Sequence, residues 1–323
     1  MKLLVTGGSG FIGRHLVELM AARGHEIANL DVLEAPEEAQ AASFQRCDIM
    51  DAAQVKECFQ RFQPEAVVHL AARTDLTHNI PVEPYYASIT TGTQNVLDAI
   101  QSTPSVARAV ITSTQFVWRP GCKVVGSEEF RPCTVYGEAK MRMEHLTSAA
   151  NLHCLWTIIR PVIIWGPWNT FYRDTLMRAM AKGYYFHPSG RSAVLGFGYV
   201  KNAVRQIEKL LQIDGALINR KTLYIGDGLF PLVDWMNAYS LELTGHKIRY
   251  LPRSFVRLLA LFGDLYEGVT GRKFVMYSFR YHNMVDDYIV PVDTTLRLLG
   301  PPEIPMQQGI KETLDWIKEH PGW

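Results

Sequence analysis

VTGGSGFIG (residues 5–13) follows the apolar run KLLV directly and opens the helix-patterned stretch FIGRHLVELMAARG. Gly7, Gly10 and Gly13 stand three apart at the point where a strand gives way to a helix. Glycine suits such a turn for three reasons: it tolerates positive φ, it lets the backbone approach a pyrophosphate, and it leaves the N–H groups and partial positive charge of the helix N-terminus open to an anion. Asp31 closes the next apolar run, HEIANLD, 18 residues after Gly13. A carboxylate there accepts hydrogen bonds from an adenosine ribose diol and repels a 2′-phosphate, and no Arg follows at once to offset it. The pattern predicts NAD rather than NADP.

Beyond this unit, strand and helix patterns keep alternating: AAQVKECFQRF, EAVVHLA, PYYASITTGTQNVLDAI, ARAVITS. Repeated strand–helix–strand units predict an α/β fold with a doubly wound parallel sheet, and unbroken apolar runs such as AVVHLA fit strands buried on both faces. Ligands in such sheets lie at the carboxyl ends of the strands. CDIMD places Asp48 and the backbone of Ile49 near an adenine edge, and HLAAR follows the fourth strand with the small residues that a close cofactor needs. ITSTQ ends the fifth strand with Ser113 and Thr114. TVYGEAKMRMEHL (134–146) then sets Tyr136 and Lys140 four residues apart, on one helix face, where a phenol and an ammonium reach the same volume.

After about residue 160 the pattern loosens into aromatic clusters, WGPWNTFY, GYYFHP and FVMYSFRYHNM. These predict a smaller, mixed C-terminal lobe. The division expected is 1–164 for the cofactor domain, completed by parts of 190–228, with 165–323 mainly on the substrate side. SFVRLLALFGDLY (254–266) reads as a helix whose Arg257 and Asp264 tell against a membrane span.

The chain's 33 Lys and Arg against 32 Asp and Glu give a net charge of +1, which points to neither a nucleic acid nor an anionic membrane as partner. Five cysteines (Cys47, Cys58, Cys122, Cys133, Cys154) form no CxxC pair, and the ten histidines show no HExxH, so neither a disulfide framework nor a metal is expected. No apolar run approaches the ~18 residues of a span. With a strand pattern starting at the first residues, these features predict a soluble cytoplasmic protein.

Taken in order, TGGSGFIG, Asp31, DI, HLAA, GTQNVLDA, TST, YGEAK and RPVIIWGP resemble the motifs of the extended short-chain dehydrogenase/reductase superfamily, and its NAD-dependent nucleotide-sugar epimerase/dehydratase branch in particular. The resemblance covers about the first 170 residues well. It implies that Tyr136 is the catalytic acid/base, that Lys140 holds the nicotinamide ribose and lowers the tyrosine pKa, and that Thr114 hydrogen-bonds the reacting oxygen. The cofactor-binding set it implies is Gly7, Gly10, Phe11, Ile12, Gly13, Asp31, Asp48, Ile49, Leu70, Ala71, Ala72, Tyr136, Lys140 and Pro161. Thr74, Gln115, Trp165 and Arg191 are the substrate-side candidates. A homodimer through helices 84–102 and 134–150 is implied in the same way.

Departures from the branch's pattern bear on the substrate. Ile89 replaces an Asn before the GT pair, and Ile163 and Trp165 replace the amide and the tyrosine of RxxNxYGP. LGFGYV lacks a charged pair, and Gln115 and Phe116 stand where dehydratases carry acidic residues. Three readings follow. The first is a nucleotide-sugar epimerase working through a transient keto intermediate. The second is a dehydrogenase or reductase of a lipophilic alcohol or ketone, similar to 3β-hydroxysteroid dehydrogenases; the third is a non-catalytic NAD-binding protein. Asp31→Ala is expected to lower the ratio of NADH to NADPH affinity by about tenfold or more, the worth of a charged hydrogen bond. Fluorescence titration with both nucleotides checks this, and a wild-type preference for NADPH overturns the ribose assignment.

Overall fold

Leu3, Leu4 and Val5 are fully buried in β1 (Lys2–Thr6), as expected for a strand covered by helices on both faces. The computed structural model describes residues 1–34, 38–75, 80–121, 124, 129–272 and 274–322. From β1 the chain runs through α1 (Phe11–Ala22), β2 (Glu26–Asp31), the one-turn α2 (Glu38–Ala41), β3 (Phe44–Arg46), α3 (Ala52–Phe62), β4 (Ala66–His69), α4 (Thr91–Gln101), β5 (Arg108–Thr112), α5 (Val135–Ala149) and β6 (Leu155–Pro161). The second half holds β7 (Ile163–Trp165), α6 (Thr170–Tyr172), α7 (Arg178–Ala181), β8 (Phe186–Pro188), β9 (Val194–Tyr199), α8 (Val200–Gln212), β10 (Lys221–Ile225), β11 (Gly228–Pro231), α9 (Leu232–Thr244), β12 (Arg249–Leu251), α10 (Arg253–Thr270), α11 (Ser278–Val285), α12 (Val292–Leu299) and α13 (Met306–Glu319).

Seven strands form one sheet in the order β10-β6-β5-β4-β1-β2-β3, and every neighbouring pair is parallel. The winding reverses between β1 and β4, where a doubly wound sheet opens its crevice. This is the fold class that the sequence pattern implied, and the strands β7, β9 and β11 form the smaller mixed sheet, with β12 and β8 as a separate pair. β10 is the edge strand beside β6, and α8 packs on α1, so residues 200–225 return to the large sheet. Arg108 ties the two together by donating to the carbonyls of Leu210 and Ile213.

One expected element is shorter than its pattern. Residues 84–90, read as the first turns of a helix, form tight turns, and α4 begins at Thr91. Buried Tyr86 donates its hydroxyl to the Asp75 carbonyl, Thr90 donates to the Glu83 carboxylate, and Gly92 N bonds Ala87 O, so local bonds capture groups that a helix would have used. α10, by contrast, extends beyond the expected 254–266.

Among the described residues three histidines are buried: His15, donating from Nε2 to the Pro167 carbonyl at 3.0 Å, His69 and His187. Burial lowers their pKa values to about 4, about 3 and about 4. Below an unfolded value near ~6.5 the unfolded chain takes up protons that the fold refuses, so stability falls as pH drops from there toward 4. Asp227, raised to about 6 by burial, acts in the opposite sense, one group against three. The urea midpoint is therefore expected to be lower at pH 5 than at pH 7.5; an unchanged or higher midpoint contradicts the burial of these imidazoles.

Candidate active site

The turn after β1 and the segment after β4 meet closely. Gly7 has φ +75°, and a Cβ on it would lie 2.6 Å from Ala71 N; a Cβ on Gly13 would lie 2.1 Å from the Gly7 carbonyl. Gly10 caps α1 with extended backbone and no side-chain bond, so the helix start that carries Phe11, Ile12 and Gly13 faces the turn uncapped by any side chain. At the end of β2 the Asp31 carboxylate accepts from Ser9 N and Leu33 N, each at 3.0 Å, which holds it at the rim of the glycine turn. Leu70, Ala71 and Ala72 line the opposite side, half-buried. The Asp48 side chain is exposed and accepts from Met50 N at 2.9 Å, while Ile49 is buried against Gly92 and its carbonyl accepts from Asn95 at 2.9 Å. A cradle that a Cβ would fill, an open helix N-terminus and a carboxylate one strand away fit a dinucleotide.

Further along the same sheet edge stand Thr114, Tyr136 and Lys140. Thr134 caps α5 by accepting from Gly137 N at 3.0 Å, and a Cβ on Gly137 would lie 2.2 Å from the Phe116 carbonyl, so the helix start sits tightly on the loop that follows β5. That contact brings the start of α5, with Tyr136, against the loop that carries Thr114. Lys140, buried, donates from Nζ to the Thr112 carbonyl at 2.7 Å. Burial pushes the phenol up to about 12, with the nearby Thr114 hydroxyl pulling it down, and lowers the lysine to about 7. Desolvation is the largest cause for both groups. Pro161 ends β6 beside this group.

The model of the NAD dependent epimerase/dehydratase family matches residues 3–224. The chain belongs to that family. GDP-6-deoxy-D-talose 4-dehydrogenase of Aggregatibacter actinomycetemcomitans is 31% identical over 169 residues, 51% of this chain and 54% of that protein. A 3 beta-hydroxysteroid dehydrogenase/Delta 5→4-isomerase of Mycobacterium tuberculosis is 31% identical over 220 residues, 63% of this chain and 58% of that protein. The chain thus spans just over half the length of these curated relatives. The solved UDP-glucuronic acid 4-epimerase of Bacillus cereus, in complex with UDP-glucuronic acid and NAD, superposes with a TM-score of 0.74 at 20% identity, over 99% of this chain and 100% of that one, a likeness of fold. The family is NAD dependent by its description, and the Gly7–Gly13 cradle, the open start of α1 and Asp31 would hold that dinucleotide.

The substrate-side candidates of this epimerase/dehydratase family member fare unequally. Trp165 is 1% exposed and packs among Tyr199, Trp235 and Tyr239 in the hydrophobic core, which removes it as a substrate contact. Thr74 is exposed in the loop after β4, and Arg191 is ion-paired with Asp287. Gln115 is buried beside Thr114, its carbonyl oxygen Oε1 without a hydrogen-bond partner, while Tyr288 donates to its backbone carbonyl. Among the described residues no group of three or more His, Cys, Asp or Glu is placed to hold a metal ion.

Sequence reasoning missed the support beneath Lys140. Glu144, four residues on and on the same face of α5, accepts from Arg160 Nε at 2.9 Å and Nη2 at 2.8 Å, and from Ser113 Oγ at 2.5 Å; Arg160 also donates to the Tyr224 hydroxyl at 3.0 Å. The signal was present: four-residue spacing beyond Lys140 predicts a third group on that face. Arg160→Met strands Glu144 in the interior and is expected to cost about 3–5 kcal/mol in urea unfolding, with part of the loss recovered in the double variant Arg160→Met/Glu144→Leu. A loss under about 1 kcal/mol contradicts a buried pair.

Proposed function

We propose that this chain is a sugar-modifying enzyme, a nucleotide-sugar epimerase in which Tyr136 is the acid/base, Thr114 orients the reacting hydroxyl and Lys140 holds the nicotinamide ribose. The observation that carries the reading is the convergence of Thr114, Tyr136 and Lys140 on the sheet edge that also holds the Gly7–Gly13 cradle and Asp31. NAD, when bound there, supplies a hydride acceptor and donor. The protein's share is acid–base work: the phenol oxygen of Tyr136 takes the proton of a substrate hydroxyl and returns it to the ketone oxygen, with the Thr114 hydroxyl sharing the bond. A buried phenol is protonated at neutral pH, so the cationic groups gathered around it at turnover must favour the phenolate. The cofactor side comprises residues 1–164 with parts of 190–228, and residues 165–323 mainly serve the substrate. Gln115, Thr74 and Arg191 are its remaining polar contacts. A homodimer through α4 and α5 completes the reading, and the buried free thiols of Cys47, Cys58 and Cys154 suit the cytoplasm.

The second reading, oxidation or reduction of a lipophilic alcohol or ketone, is favoured by Ile163 in place of an amide, by the pairing of Arg191 with Asp287, and by the similarity to the steroid dehydrogenase.

Mass spectrometry of small molecules released on denaturing fresh protein separates the two. Retained NAD with a sugar nucleotide is the outcome expected; cofactor-free protein that reduces a steroid ketone with NADH overturns the epimerase. Tyr136→Phe is expected to lower turnover by about 10²-fold or more, the usual worth of a general acid/base, while sparing NADH binding. Unchanged turnover removes Tyr136 from the mechanism.

A further inference from the structure

α10 carries its apolar side chains outward. Phe255, Leu258, Leu261, Phe262, Leu265 and Val269 are each between 53% and 78% exposed, and their spacing of three and four residues sets them in one stripe along about four turns of helix. Val275, in the segment that follows, is 73% exposed. The helix cannot turn to hide the stripe, because its opposite face is already seated: Val256, Ala260 and Gly263 are buried, and a Cβ on Gly263 would lie 1.9 Å from the Met276 carbonyl. Scattered exposed apolar residues are ordinary on a protein surface, but a continuous stripe of this length marks a contact.

The charge around the stripe names the partner. Residues 246–285 hold seven Lys and Arg and two acidic residues, in a chain whose total is +1, so the rest of the protein is net negative. Arg253 and Arg257 begin the same four-residue row that continues as Leu261, Leu265 and Val269, and Lys247, Arg249, Arg272 and Arg280 are exposed on the flanking segments. Of the two acids, Asp264 is exposed and accepts from the backbone N–H and hydroxyl of Ser278, and Glu267 lies half-buried, so the cations outnumber them on this face. Phe and Leu along one side, with arginine at the edge, match the headgroup boundary of an anionic bilayer. We propose that α10 docks this enzyme on the surface of membranes rich in anionic phospholipid, lying in the interface plane. No described helix is long and apolar enough to cross the bilayer.

Co-sedimentation of the full chain with extruded vesicles tests this, using phosphatidylcholine alone and phosphatidylcholine mixed with phosphatidylglycerol. The mixed vesicles are expected to carry the protein down, less so at high salt. Leu258→Glu/Leu265→Glu is expected to lower the partition by about tenfold or more, and Arg257→Gln by about five-fold, the worth of one cation near an anionic surface. NADH binding serves as the check that each variant is folded. Equal partition on neutral vesicles, binding indifferent to both variants, or no vesicle binding by a protein whose self-association is lost in the double variant, each overturns the proposal.

Discussion

No side chain can stand between the turn after β1 and the segment after β4. β1 and β4 are hydrogen-bonded neighbours, with Thr6 opposite His69, so the chain leaving each strand is brought to within touching distance of the other. Gly7 meets Ala71 backbone to backbone, and Gly13 meets the Gly7 carbonyl, which seats α1 directly over the turn. A polar chain braces the junction from beneath: Ala71 N donates to the Thr6 hydroxyl, which bonds His69 Nδ1 at 2.6 Å, while His69 Nε2 bonds the Thr93 hydroxyl at 2.9 Å. With the imidazole buried between two hydroxyls, both sides of the crevice are held to one spacing, and every other candidate site residue is measured from it.

The second support is electrostatic. Tyr136, Lys140 and Glu144 follow one another every four residues on α5, so a single helix face carries a phenol, an ammonium and a carboxylate inward. Burial disfavours the charged lysine, and Glu144 opposes that effect while also holding Arg160. Two buried cations around one carboxylate is an expensive arrangement if the aim is stability alone, since apolar residues of similar size serve as well or better. Its use lies in position: Ser113 and Arg160 fix Glu144, with Tyr224 holding Arg160, and the end of β5 is thereby locked to α5 beside Thr114 and Tyr136.

The second lobe is organised by aromatic packing. Trp235 stacks on Phe197 at 5.1 Å between ring centroids and meets Trp165 and Tyr239 edge-on. Those rings bury a large apolar area and leave the lobe rigid, which suits a wall for the crevice. Polar contacts from this lobe reach the cofactor side through Tyr288, whose hydroxyl bonds the carbonyls of Gln115 and Trp118, and through His15 and Pro167. The loop bearing Gln115 is therefore held by both lobes.

Much of the fold was legible because its signals are local. A glycine turn between an apolar run and a helical one, an aspartate ending the next strand, and the four-residue step from Tyr136 to Lys140 each depend on neighbours in sequence, and α3 runs over the very residues 52–62 that its pattern marked. Trp165 shows the limit: in sequence it lies among residues of the site, yet its ring turns into the core, since the direction of a side chain after β6 depends on how β7 pairs with β9. The joining of β10 to β6, the pairing of Glu144 with Arg160 and the outward stripe of α10 are equally nonlocal. The sequence alone determined the periodicity of each element and the chemistry it carries, because both follow from short-range backbone geometry. Only the tertiary structure decided which faces are buried, which charges are paired and which apolar stripe is left in water, because those depend on segments that come together across the whole chain.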